Sequence, residues 1–255
     1  MKYSIPVYGL DTFETYTALN EFKGDERIGI VYCDDYSSYR KAIRKISAAA
    51  EHSIPSIHHN NAIIEAVNLD IARGVRVILC QAGLPGCFWT YAAPHYCHIE
   101  NITQDEEGNS PWFTRYQEPF AGKAIPFGCG VYFLPTKYSN SKAVPSMSYG
   151  IFLGYRLAPG GRWNGQYLVA DIYDFIGMNL SAYAPETKCW LYPHVTEQVT
   201  LTKKGCVFPL KPKYDQISLT LDGNQDTWVE NQWCYDIYGE PTVKATCLQQ
   251  DILGS

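Results

Sequence analysis

The sequence predicts an α/β unit followed by a mainly β unit and an extended C-terminal arm. Three observations lead there. Residues 1–103 combine helical apolar spacing with one short β-branched run. From residue 126 the pattern changes to short strands separated by turn dipeptides. From residue 213 the chain turns polar, with isolated Trp228, Trp233 and Tyr235. The expected division is therefore 1–103 for the α/β unit, 104–125 for a linker, 126–212 for a small barrel-like β domain, and 213–255 for the arm.

In the first unit, Asp11-Thr12-Phe13-Glu14 has the D-x-x-E form of a capping box, and Phe13, Tyr16, Leu19 and Phe22 recur at helical spacing up to Gly24. Residues 27–33 (RIGIVYC) read as a buried strand with Asp34 at its tip. Ser37 or Ser38 is placed to cap a second helix reaching about Glu51, with Ile43 and Ile46 on one side and Arg40, Lys41, Arg44 and Lys45 on the other. Those four cations form either a solvated face or a phosphate-contacting stripe.

Residues 52–61 read as a polar connection. The spacing then predicts a long amphipathic helix over 62–82, stopped by Gly83-Leu84-Pro85, and an aromatic-rich helix over 88–102 that Pro94 should kink. The acidic stretch 104–110 (QDEEGNS) is a hinge. Beyond it, strands are expected at 130–134, 150–155, 166–171, 195–201 and 207–210. Gly160-Gly161 and Asn164-Gly165 are turn dipeptides, the latter a hairpin signal.

Composition narrows the function. With 21 basic and 26 acidic residues the chain carries a formal charge of −5, whereas an autonomous nucleic-acid binder normally presents a basic field. Protein partners are favoured, and the 20 tyrosines suit half-buried strands and interfaces. Nine cysteines with no CxxC pair read as inert thiols of a reducing intracellular compartment, be it nucleus, cytosol or organelle matrix. No apolar run approaches a membrane span, so no membrane partner is expected.

Four separated segments resemble a known family. Residues 61–89 (NAIIEAVNLDIARGVRVILCQAGLPGCFW) are similar to the copia-type retrotransposon integrase segment that reads N-G-V-A-E-R, a helix, then L-x-x-(A/S)-G-L-P-x-x-F/Y-W. Tyr32-Cys33-Asp34-Asp35 sits where that family has a (S/T)-D-N strand end. Phe127-Gly128-Cys129-Gly130-Val131-Tyr132 resembles its F-G-C-x-(A/V)-Y, and Gly150-Ile151-Phe152-Leu153-Gly154-Tyr155 its x-x-F-L-G-Y. Pro159 to Trp163 and Tyr167 to Asp171 look like the continuation, so the resemblance covers about residues 10–215.

The resemblance implies a ribonuclease H-like core in which two Asp and one Glu hold two divalent metals, and it places Asp34 at the second Asp and Glu65 at the Glu. The departures are specific. The first Asp is expected upstream of the segment at which the chain begins, and Asp11 and Asp25 fall at a helix start and a turn. Asp35 stands for the Asn, Ala62 for the Gly and Ala66 for the Arg of N-G-V-A-E-R, and the family's zinc module is missing. The expectation is a truncated, degenerate integrase core with no catalytic residues. Asp34 and Glu65 are then relics, with no cofactor unless catalysis survives on Mg²⁺.

Such a core exposes a sheet edge and apolar surface that a partner must cover. The leading expectation is therefore a domesticated structural subunit of a larger assembly, with protein subunits as partners; a nucleoprotein complex, a ribonucleoprotein among the options, is the natural candidate, and Arg40, Lys41, Arg44 and Lys45 are the candidates for any RNA or DNA contact. Trp228, Trp233 and Tyr235, interleaved with Asp226, Glu230 and Asp236, read as a protein interface, with base stacking as the alternative. The alternative function is a Mg²⁺-dependent strand-transfer enzyme fragment, and a third reading is a decaying element. His58-His59 and the pair His95 and His98 read as packed or surface histidines, against a zinc site. Cys33 reads as a buried thiol without a base partner, against a nucleophile.

Overall fold

The computed structural model describes residues 1–52, 62–135, 146–182 and 191–218. Trp228, Trp233, Tyr235, His58 and His59 lie outside the described residues. In chain order the elements are α1 (Thr12–Lys23), β1 (Ile30–Cys33), α2 (Ser37–Lys45), β2 (Ala49–His52), α3 (Ala62–Ala82), α4 (Trp89–Ile102), α5 (Pro111–Tyr116), β3 (Gly130–Phe133), β4 (Ser148–Leu157), β5 (Trp163–Asp171), β6 (His194–Thr196), β7 (Val199–Leu201) and α6 (Lys211–Ser218). The fold is mixed α/β, with a small parallel sheet and a five-stranded antiparallel one.

Asp11 caps α1 as expected, its carboxylate accepting from the amides of Phe13 and Glu14, each at 2.8 Å. The next three elements differ from expectation. Tyr36, not a serine, holds the N-cap position of α2. That helix ends at Lys45 and not near residue 51, because Ser47 takes a left-handed backbone at φ 59°. The Ala-rich stretch that follows is instead β2, paired parallel with β1 in the register Ile30↔Ala49 to Cys33↔His52. Strand pairing overrides the helical propensity of that stretch because β1 supplies its backbone with partners. Nor is β1 buried. Its residues alternate, with Ile30 60% and Tyr32 37% exposed.

α3 has its expected bounds and packs through Val75, Leu79 and Ala82. Gly83 ends it at φ +71°, where a Cβ would meet the backbone of Lys211 at 2.5 Å. α4 runs through Pro94 and buries Ala92, Ala93, His95, Cys97, His98 and Asn101. The stretch expected as a linker holds α5, which Ser110 caps by accepting from the Phe113 amide at 3.1 Å and which buries Trp112.

The antiparallel sheet has the order β6-β5-β4-β3-β7. Its outer strands are neighbours in sequence, with only Glu197 and Gln198 between them. Three Cα steps reach at most about 11 Å, whereas the edges of a flat five-stranded sheet stand about 19 Å apart. The sheet must therefore roll up, and the single strand expected over 195–201 breaks into two so that the chain can cross from one edge to the other. The hairpin between β4 and β5 turns at 158–162, not at Asn164-Gly165. Those two residues form a bulge in β5, because Leu157 pairs Trp163 while Arg156 pairs Gln166. The strand expected at 207–210 is a turn into α6, since Pro209 cannot donate to a ladder.

A second bulge explains the spacing of Phe152 and Tyr155. Regular alternation would put residues three apart on opposite faces, but the register shifts between Phe152 and Gly154, so both side chains enter the barrel. They join Ile125, Cys129, Val131, Phe133, Tyr167, Val169 and Val199 in one core. The outer face of the same strands, Ile151, Leu153 and Ala170, packs with Val75, Leu79 and Ala82 of α3 and with Ala92 and Ala93 of α4 in a second core. That second core crosses the boundary drawn at residue 103.

Candidate functional site

The resemblance points to the carboxyl ends of β1 and β2, where parallel strands commonly present their functional groups. Asp34 directly follows β1 and is exposed, and Glu65 lies in the first turn of α3 and is also exposed. Asp35 forms an ion pair with Arg40, Oδ1 to Nε at 3.0 Å, and lies 3.8 Å from His52 Nδ1. Among the described residues no group of three or more His, Cys, Asp or Glu side chains is arranged to hold a metal ion.

The pairing of β1 with β2 brings together two residues that sequence reasoning kept apart. Cys33 Sγ sits 3.7 Å from His52 Nδ1, because the two are register partners. The expectation that Cys33 has no base nearby is thereby corrected, and only the strand register, invisible in a helical reading of 49–52, could have revealed it. The arrangement still does not make a nucleophile. Burial, then the negative charges of Asp34 and Asp35, push the Cys33 thiol up and hold it protonated. A relay also needs its two partners on opposite imidazole nitrogens, whereas Cys33 and Asp35 both approach Nδ1.

The cations of α2 are exposed, opposite buried Ala42, Ile43 and Ile46. Two of them are engaged. Arg40 pairs with Asp35, and the Lys45 ammonium lies 5.4 Å from the centre of the Tyr16 ring. Lys41 and Arg44 stand exposed on the same helix.

His95 and His98 are packed core residues, 4% and 3% exposed. The His95 ring stacks on Tyr155 at 5.7 Å, and His98 meets Tyr155 at 4.2 Å and Phe120 at 5.1 Å. Burial pushes His95 down to about 3, with help from His98, and His98 down to about 4. His95 Nδ1 and His98 Nε2 lack hydrogen-bond partners among the described residues. Neutral imidazoles inside an aromatic cage serve packing.

The cysteines divide. Cys33, Cys80, Cys97, Cys129 and Cys206 are free thiols, but Cys87 is disulfide-bonded, which corrects the expectation of inert thiols at that position. A disulfide is uncommon in a reducing compartment, so cysteine usage does not locate the chain in one. Among the described residues no helix is long and apolar enough to cross a membrane. Comparison with protein-family models and with curated proteins finds no match to this chain.

Proposed function

We propose that this chain is a copia integrase-derived protein that acts as a non-catalytic structural subunit of a larger, ribonucleoprotein assembly, held there by protein contacts. The observation that carries the reading is the β1–β2 pair. Parallel sheets are ordinarily covered on both faces and extended by further strands. Here, among the described residues, the sheet stops at two strands, and Ile30 and Tyr32 lie open on it. A partner strand or surface on that side would complete the sheet. The conversion of the family's Asn to Asp35, tied to Arg40 and near His52, supports loss of the original metal chemistry.

The test is affinity capture of the tagged chain from its native cells, with and without nuclease, followed by mass spectrometry and by sizing of the purified protein. A fixed, stoichiometric set of nucleoprotein subunits is the expected result. A monodisperse monomer recovered alone would end the proposal.

The second reading is a Mg²⁺-dependent strand-transfer fragment, which the exposed positions of Asp34 and Glu65 favour. Nicking of DNA that requires Mg²⁺ and disappears in both Asp34→Asn and Glu65→Gln would establish it in place of the first.

A further inference from the structure

Cys129 and Cys206 come from opposite ends of the β domain and lie side by side at the seam where β7 closes against β3. Cys129 immediately precedes β3 with its side chain fully buried in the barrel core. Cys206 follows the turn after β7 and is exposed. The residues that follow them are joined directly, the Gly130 amide donating to the Val207 carbonyl at 2.8 Å, which sets the two cysteines side by side, while the Cys129 thiol donates to the Gly130 carbonyl at 3.6 Å.

Their backbones are pinned on both sides. The Phe152 amide donates to the Cys129 carbonyl at 2.9 Å. The turn just before Cys206 is closed by the Gly205 amide on the Thr202 carbonyl and by the Thr202 hydroxyl on the Gly205 carbonyl, each at 2.9 Å. Two cysteines held side by side by their backbones, one open to solvent and one sealed in the core, supply what an intramolecular disulfide needs: a point of attack and a resolving partner close by.

We propose that Cys129 and Cys206 form a redox-active dithiol that is oxidised by small disulfides and, once oxidised, staples the chain leaving β7 to the start of β3. In the first step Cys206 Sγ loses its proton and attacks one sulfur of the small disulfide. A mixed disulfide forms, the small S–S bond breaks, and the first small thiolate leaves and takes up a proton. In the second step Cys129 Sγ loses its proton and attacks Cys206 Sγ, expelling the second small thiolate, which is also protonated. Two protein thiols are oxidised to one disulfide, and the small disulfide is reduced to two thiols. Burial pushes the Cys129 thiol up to about 11.

The test equilibrates the full-length chain against mixtures of reduced and oxidised glutathione, traps thiols by alkylation at acid pH, and maps peptides by mass spectrometry. The expected product is a Cys129–Cys206 linked peptide whose formation raises Tm by roughly 10 °C, the scale set by closing so long a loop. Both signals should be absent in Cys206→Ser, which changes only an exposed side chain and so does not depend on refilling the core. The proposal is overturned if oxidation stops at glutathione on Cys206 while Cys129 remains alkylatable in the unfolded protein, or if the linked peptide forms with no change in Tm.

Discussion

Asn101 holds Lys2 by both sides of its backbone. The Asn101 side-chain amide donates to the Lys2 carbonyl at 2.6 Å, and its oxygen accepts from the Lys2 amide at 2.8 Å. Asn101 is buried near the end of α4, so this exchange works like one rung of a sheet and fastens the N-terminal segment to the helix. Asn101→Ala would strand both Lys2 groups, and a cost of about 2 kcal/mol is expected. Urea unfolding of the two proteins would show it, together with faster exchange of the Lys2 amide. A change below roughly 0.5 kcal/mol would mean that water replaces the side chain without loss.

Arg115 fastens the same segment from the other side. Its Nε and Nη2 donate to the two carboxylate oxygens of Glu26 at 3.2 and 2.8 Å, and its Nη1 donates to the Tyr3 hydroxyl at 3.0 Å. The guanidinium also lies 5.5 Å from the Tyr3 ring centre and 5.4 Å from that of Tyr116. Arg115→Lys keeps the charge but loses the planar fork, and should cost about 1–2 kcal/mol. Glu26→Gln removes an exposed partner and should cost under about 1 kcal/mol. Equal effects in chemical unfolding would contradict the ring packing as the main contribution.

The buried histidines make stability fall in acid. Their folded values, about 3 for His95 and about 4 for His98, lie below the ordinary 6.5. Between those values the unfolded chain binds more protons than the folded one, so stability is complete above pH 6.5 and declines as pH drops toward 4 and 3. By pH 5 each histidine should remove about 2 kcal/mol. Unfolding midpoints measured from pH 7.5 to 5 in wild type and His98→Asn would check this, the variant having the shallower slope. Parallel slopes would show that His98 already gains a proton acceptor in the folded state.

Two glycines separate backbone strain from crowding. Both Gly83 and Gly165 have positive φ, at +71° and +86°. An added Cβ at Gly83 meets the Lys211 backbone, whereas at Gly165 it meets nothing within 4 Å. Gly165→Ala should cost about 1 kcal/mol, from conformation alone. Gly83→Ala should cost roughly 3 kcal/mol or more, because α6 must move away from the end of α3. Thermal melts that rank them in the opposite order would refute the contact.

The elements that were legible in advance are those whose signals are local. α3 appears with its expected bounds because twenty-one residues of helical spacing end on a Gly-Leu-Pro stop, and Asp11 caps α1 through amides two and three residues away. The elements that were misread depend on distant partners. The β2 stretch carries helix-favouring alanines, and only its pairing with β1 makes it a strand. The same holds at the candidate site: Asp34, Arg40 and Glu65 are placed by their own elements, but the approach of Cys33 to His52 is created by register.

By itself, the amino-acid order determined the change from α/β to mainly β, the long helix, most of the strands, and the weakness of any global field for nucleic acid. Tertiary structure alone decided that the sheet rolls up, since this follows from β6 and β7 lying at opposite edges two residues apart. It also decided that the barrel strands share a core with α3 and α4, that Phe152 and Tyr155 point the same way, and that Cys129 and Cys206 are brought side by side. Each of those outcomes joins residues far apart in sequence, where local propensity is silent and strand register, bulges and burial set which side chains meet.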